Sequence, residues 1–153
     1  MDLTALFSYE HAANRQILAA MRETDSLAEG GLAERAHVVA AHLLAAQRVW
    51  LERLTGDSPQ TPVWPDLTAD QRDDWLAENA RRIGGYLAAS PDLDAPLRYH
   101  STSGIGYEST PREILMHLLL HGSYHRGQLA AAIREAGGVP PKTDLIVHLR
   151  QLV

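Results

Sequence analysis

The sequence contains no cysteine. Disulfides, thiolate metal ligands and a thiol nucleophile of the protein's own are excluded, so any sulfur chemistry has to arrive with a ligand. Lysine is nearly absent as well: Lys142 is the only one, and the arginines are scattered along the 153 residues. With a net charge of −5 and no clustered basic face, the chain is not expected to bind nucleic acid broadly. No apolar run approaches the ~18 to 20 residues that span a bilayer. The first residues, Met1 to Gln16, carry Asp2, Glu10 and Arg15 where a signal peptide would have a basic start and an apolar stretch, so no membrane association and a cytoplasmic location are expected. What is present is 45% hydrophobic and 22% charged residues, the composition of a folded globular chain, and the length suits one domain over residues 1–153. Eight histidines stand out, because imidazole is the commonest metal-binding side chain.

Hydrophobic periodicity predicts helices throughout. Leu3, Leu6, Phe7, Ile17, Leu18 and Met21 follow Asp2, a candidate N-cap, and predict a first helix to about Thr24. Two polar residues interrupt its apolar seam: at about 100° per residue, Glu10 and Asn14 point the same way as Leu3, Ile17 and Met21. They either orient ligand imidazoles or link helices in the core. A second helix is expected from near Gly31 to Gly56, with Val38, Val39, His42, Ala46, Val49, Trp50 and Leu54 inward. Pro59, Pro62 and Pro65 make the following crossover stiff and non-helical. Thr68 and Gln71 form a capping box for a third helix, closed by Ser90 and Pro91. Residues Ala95 to Ser109 suggest a short hairpin or irregular loop. Thr110, Pro111 and Glu113 supply N-cap, N1 proline and capping-box acid for a fourth helix reaching Gly137 and Gly138. A short last helix is expected from Asp144 to Leu152. Four long amphipathic helices with a long second connection predict an all-α, four-helix bundle.

The fourth helix contains His121-Gly-Ser-Tyr-His125. Residues four apart on a helix lie about 6 Å apart along the axis and about 40° around it, so both rings can reach one ion. Both also fall on the stripe of Ile114, Leu118 and Ala132, where imidazoles need partners for their ring nitrogens. His117 lies at the edge of the stripe, about 12 Å along the axis from His125, too far to share the same ion; it is expected behind the site or at its mouth. A third ligand has to come from another helix, and His42 shares its direction with Val38, Ala46 and Val49. His11, His37, His100 and His148 are weaker candidates, Trp50, Trp64 and Trp75 are read as packing residues, and Arg126 as a surface ion-pair partner. Three neutral imidazoles with one open position describe a catalytic divalent site; a structural zinc site commonly has four protein ligands, with cysteine among them. The absence of Glu after His121 excludes the H-E-x-x-H peptidase motif, and no phosphate-binding loop or G-x-S-x-G elbow occurs.

The blocks His42-Leu-Leu-Ala-Ala-Gln-Arg-Val-Trp50 and His117-Leu-Leu-Leu-His121-Gly-Ser-Tyr-His125-Arg-Gly-Gln128 resemble the DinB-type family of damage-inducible, metal-binding four-helix bundles, which is related to low-molecular-weight-thiol transferases. The resemblance covers essentially the whole chain. It implies an up-down-down-up bundle, a homodimer, and His42, His121 and His125 as metal ligands, the same three selected by helical geometry. Gln47 departs from the pattern, since relatives often have an acid there. The expected function is a metal-dependent enzyme, a thiol transferase or a hydrolase, in which zinc or nickel activates a thiol or water against a small-molecule substrate. Tyr107 and Tyr124 are candidate proton carriers. The alternative is a non-enzymatic stress-response protein in which the ion ties two helices together.

Overall fold

The computed structural model describes residues 1–27, 30–101 and 103–150. In chain order the elements are α1 (Leu3–Leu27), α2 (Glu34–Leu54), α3 (Ala69–Ala88), β1 (Leu97–His100), β2 (Gly106–Ser109), α4 (Pro111–Glu135) and α5 (Leu145–Leu149). The long helices start where local chemistry supplies their missing acceptors. Thr68 and Gln71 cap α3 reciprocally, Thr110 and Glu113 cap α4 in the same way, and the Asp2 carboxylate accepts from the Ala5 N–H.

Two core clusters establish the direction of each helix. In the first, Phe7 from the start of α1 meets Leu51 and Leu54 from the end of α2, Ile83 from the end of α3, and Ile114, Leu115 and Leu118 from the start of α4. In the second, Ile17, Leu18 and Met21 meet Ala36, Val39 and Ala40 from the start of α2, Leu76, and Leu129 and Ile133 from the end of α4. Helices α1 and α4 therefore run together and α2 and α3 run against them, which is the up-down-down-up arrangement. Helices α1 and α2 each pack on both α3 and α4. Full burial of side chains such as Ile17, Leu115 and Ile133 contributes about 1.5 to 3 kcal/mol each.

Buried polar ties accompany two of the four apolar interfaces. Between α2 and α3, buried Asn79 donates to the Leu44 carbonyl and to Gln47 Oε1 and accepts from Arg48 Nε. Between α1 and α4, Arg126 donates to Glu10 at 2.6 Å and to Asn14 at 2.8 Å, and Asn14 donates to Glu10. Gly122 sits against this carboxylate so closely that a Cβ there would overlap it. Burial pushes the Glu10 carboxyl up, while Arg126 and Asn14 pull it down.

Several expectations need correction. Arg126 is not a surface residue: it is 2% exposed and paired with Glu10 in the interior. Glu10 and Asn14 are inward as expected, and of the two roles open to them they take the helix-linking one: they bond Arg126, with no imidazole among their partners in the described residues. Val38 is 40% exposed, because the first turns of α2 stand at the bundle's edge beside the crossover residue Trp64. Helix α1 continues beyond Thr24 to Leu27, and α2 begins at Glu34 rather than Gly31. The reason is local: Gly30 and Gly31 adopt positive φ, and the Asp25 carboxylate accepts from the Leu32 N–H to hold the turn. Helix α4 ends at Glu135, with Gly137 at positive φ beyond the cap. Helix α5 covers only Leu145–Leu149, and Leu152 lies outside the described residues. Of the two options before α4, the hairpin is correct: β1 and β2 pair antiparallel, with Tyr99 opposite Tyr107.

Candidate metal centre

Helices α2 and α4 bring His42, His121 and His125 to one point. The Nε2 atom of His121 is 3.2 Å from that of His42 and 3.1 Å from that of His125. Two imidazole nitrogens bound to one tetrahedral ion at about 2.0 to 2.1 Å are separated by about 3.3 Å, so the spacing suits a shared cation. Among the described residues no other histidine or carboxylate joins the cluster.

The outer ring nitrogens explain the orientation. His42 donates from Nδ1 to the Val63 carbonyl at 2.8 Å, and His125 from Nδ1 to Gln128 Oε1 at 2.9 Å. With the proton on Nδ1, both rings present a lone pair at Nε2. His121 Nε2 faces both lone pairs and carries at most one proton, so the cluster cannot satisfy itself by hydrogen bonding. A cation at the centre would accept all three. Burial and the adjacent imidazoles push the His121 ring down to about 3. Burial also lowers His42, against its bond to Val63. Both shifts favour neutral rings, the protonation state that binds metals.

The long crossover from α2 to α3 passes over the centre. Besides the Val63 bond, Trp64 stacks on the His42 ring, with centroids 3.8 Å apart and planes within 13°. Trp64 is thus a support for His42 as well as a packing residue. His117 stands beside His121 and edge-on to Trp50, with ring centroids 5.4 and 5.6 Å away, adjacent to the cluster and outside it, as expected. His11 lines a separate cavity with Phe7 and Ile83. His37 approaches Asp25, His148 meets Tyr9, and His100 lies on β1. Gln47 is directed to Asn79, away from the cluster.

A cavity of about 340 Å³ opens beside the His42 and His121 rings. Its lining includes His42, His121, Trp50, Arg53, Tyr99 and Tyr107. Tyr107 therefore stands where a proton carrier would be useful. Tyr124 does not: it is 66% exposed, lies edge-on to His125 and is not part of the lining. Arg53, Tyr99, Val63 and Gln128 were not singled out from the sequence. Only Gln128 had a legible signal, since a residue three positions after His125 lies on the same helix face.

The DinB family's sequence profile matches residues 2–151. The chain belongs to the DinB family. Protein DinB of Bacillus subtilis is 30% identical over 80 residues, a stretch covering 52% of this chain and 46% of that relative, so the chain spans about half the length of the curated relative it matches. A crystal structure of a DinB-like protein from Bacillus cereus has a TM-score of 0.66 and 23% identity over 88% of this chain and 90% of that one, which supports the DinB fold. Within that fold, the three histidines of this DinB chain form a cluster compatible with metal binding.

Proposed function

We propose that this DinB-family protein is a metal-dependent enzyme that directs a thiol or water at an electrophilic small molecule. The convergence of three Nε2 atoms beside an open cavity lined by His42 and His121 carries this reading. Zinc and nickel both suit the donor set, because imidazole is a ligand of intermediate softness and the chain has no thiolate. When bound, a divalent ion held by three neutral ligands retains its charge and lowers the pKa of a thiol or water at its open position.

The chain's own groups have separable tasks. Val63 and Gln128 hold the tautomers of His42 and His125. Trp64 shields one face of His42 from water. Tyr107, which lines the cavity, can pass a proton to or from the reacting molecule. With no cysteine, a transferase reaction must borrow its thiol, whose binding releases a proton and strengthens as pH rises towards a free-thiol pKa of about 8.5.

The test is to combine the metal-loaded protein and its His42→Ala variant with low-molecular-weight thiols and a panel of electrophiles. Thiol-dependent conjugation that the variant loses supports a transferase. Thiol-independent hydrolysis that the variant loses supports a hydrolase. Rates equal to the metal-free background across the panel would leave a non-enzymatic role for the ion.

Two further outcomes are expected. Gln128→Ala removes the acceptor that orients His125 and should weaken metal affinity by about 10- to 100-fold, measured by competition with a chromophoric chelator; unchanged affinity would remove Gln128 from the centre. The protein should also form a symmetric homodimer. Met116, Leu120 and Tyr124 are exposed at successive four-residue intervals along α4, a stripe suited to an isologous contact. Light scattering that gives 16.8 kDa, the mass of one chain, at all concentrations would overturn this.

A further inference from the structure

Arg53 occupies an unusual position for a cation. It comes from the last turn of α2 and is 9% exposed, yet it lines the same cavity as His42 and His121. Its guanidinium lies over the Trp50 ring at 4.4 Å and near the Tyr99 ring at 5.4 Å. One terminal nitrogen donates to the His100 carbonyl at 3.2 Å. Its Nε is buried and has no partner among the described residues.

A buried cation normally has a counter-charge, as Arg126 has Glu10. Among the described residues no carboxylate lies within ion-pair distance of Arg53. Its neighbour in sequence, Glu52, is committed elsewhere: its oxygens accept from the Thr61 hydroxyl and from the N–H groups of Gln60 and Thr61 in the crossover. The Arg53 charge therefore has aromatic faces and one carbonyl for company, and unused N–H donors. A guanidinium presents its donors in a planar fork that matches a carboxylate, and its contact with the Trp50 face limits where that fork can go. One guanidinium also balances one negative charge, so in the metal-free cavity a carboxylate is matched whereas a dianionic phosphate leaves an excess.

We propose that Arg53 binds the carboxylate of an anionic small molecule whose other end reaches the histidine cluster. This names the substrate class and rests on reading the cavity as a substrate site. Arg53 is then the specificity determinant, selecting for a carboxylate at one end of the cavity while the reacting group is placed at the other. The competing explanation is that Arg53 only docks the hairpin on α2 through His100 and Tyr99, in which case it would not distinguish a charged ligand from a neutral one.

The experiment titrates the zinc-loaded and the EDTA-treated full chain with benzoate, benzamide and phenyl phosphate, following the Arg53 Nε–Hε resonance and the affinity. Benzoate should bind about tenfold or more tightly than benzamide in both forms and shift the Nε–Hε signal. Arg53→Met should abolish that ratio, and Arg53→Lys should restore part of it. A preference seen only in the zinc-loaded form would place the carboxylate on the ion and overturn the proposal, as would an Arg53→Met protein that keeps the preference. Tighter binding of phenyl phosphate would overturn the carboxylate assignment. If Arg53→Met does not fold, the native protein still decides: an Nε–Hε signal unmoved by benzoate refutes the proposal. Because the EDTA-treated arm needs no metal, failure of the metal reading leaves this test intact.

Discussion

Replacing His121 and His125 together by Ala should reduce bound divalent metal from about one ion per chain to background. The structure explains the size of the effect. The Nε2 atoms of His42, His121 and His125 meet at 3.1 to 3.2 Å spacings around His121, and no other histidine or carboxylate among the described residues can substitute. The double variant leaves His42 alone, so its loss should exceed the ~10- to 100-fold cost of removing a supporting hydrogen bond. Thermal unfolding offers an independent readout. An ion present at 100 times its Kd stabilises the native state by about 2.7 kcal/mol, and at roughly 2 to 4 °C per kcal/mol for a chain of this size the midpoint rises by about 5 to 11 °C. That rise should vanish in the double variant and persist in His117→Ala, whose ring neighbours the cluster without joining it. Elemental analysis showing full metal retention in the double variant would show that the ion binds elsewhere.

Arg126→Met should destabilise the fold by about 3 to 5 kcal/mol, the cost of leaving one member of a buried pair uncompensated. Arg126 and Glu10 are almost wholly inaccessible, and Asn14 bonds both. Relaxation is restricted because Gly122 crowds the Glu10 carboxylate. Removing both charges, as Glu10→Leu/Arg126→Met, should cost less than Arg126→Met alone, since no unpaired ion then remains. Urea unfolding of the two variants checks the ordering. Equal stability of native protein and Arg126→Met would mean that the pair contributes nothing and that Glu10 is neutral without its partner.

The elements were legible in the sequence because their causes are local. Capping boxes at Thr68 and Thr110 act within one turn, glycines at positions 56 and 137 follow the helix ends, and the apolar period of each helix repeats along its own length. The pair His121 and His125 was legible for the same reason, since helical rise and rotation alone place the two rings together. Its union with His42 required one further step, that two inward imidazoles on different helices face each other; the cluster in the structure contains these three residues.

The position of Arg126 was decided by packing. A stripe analysis gives a helix one inner face, but α4 packs on both α1 and α2, so its buried arc is wide enough for His125 to face one neighbour and Arg126 the other. Glu10 and Asn14 announced a polar interior without identifying the cation that joins them. The Val63 carbonyl that orients His42 belongs to the backbone and has no residue-type signal, and Arg53 meets the cavity only because the hairpin folds back over Trp50. The sequence by itself determined the four long helices, the capping boxes at Thr68 and Thr110 and the pairing of His121 with His125, because those depend on neighbours a few residues away. Tertiary structure alone decided which polar residues are buried, what orients each imidazole and what lines the cavity, because each of these depends on contacts between segments that the chain's local periodicity does not relate.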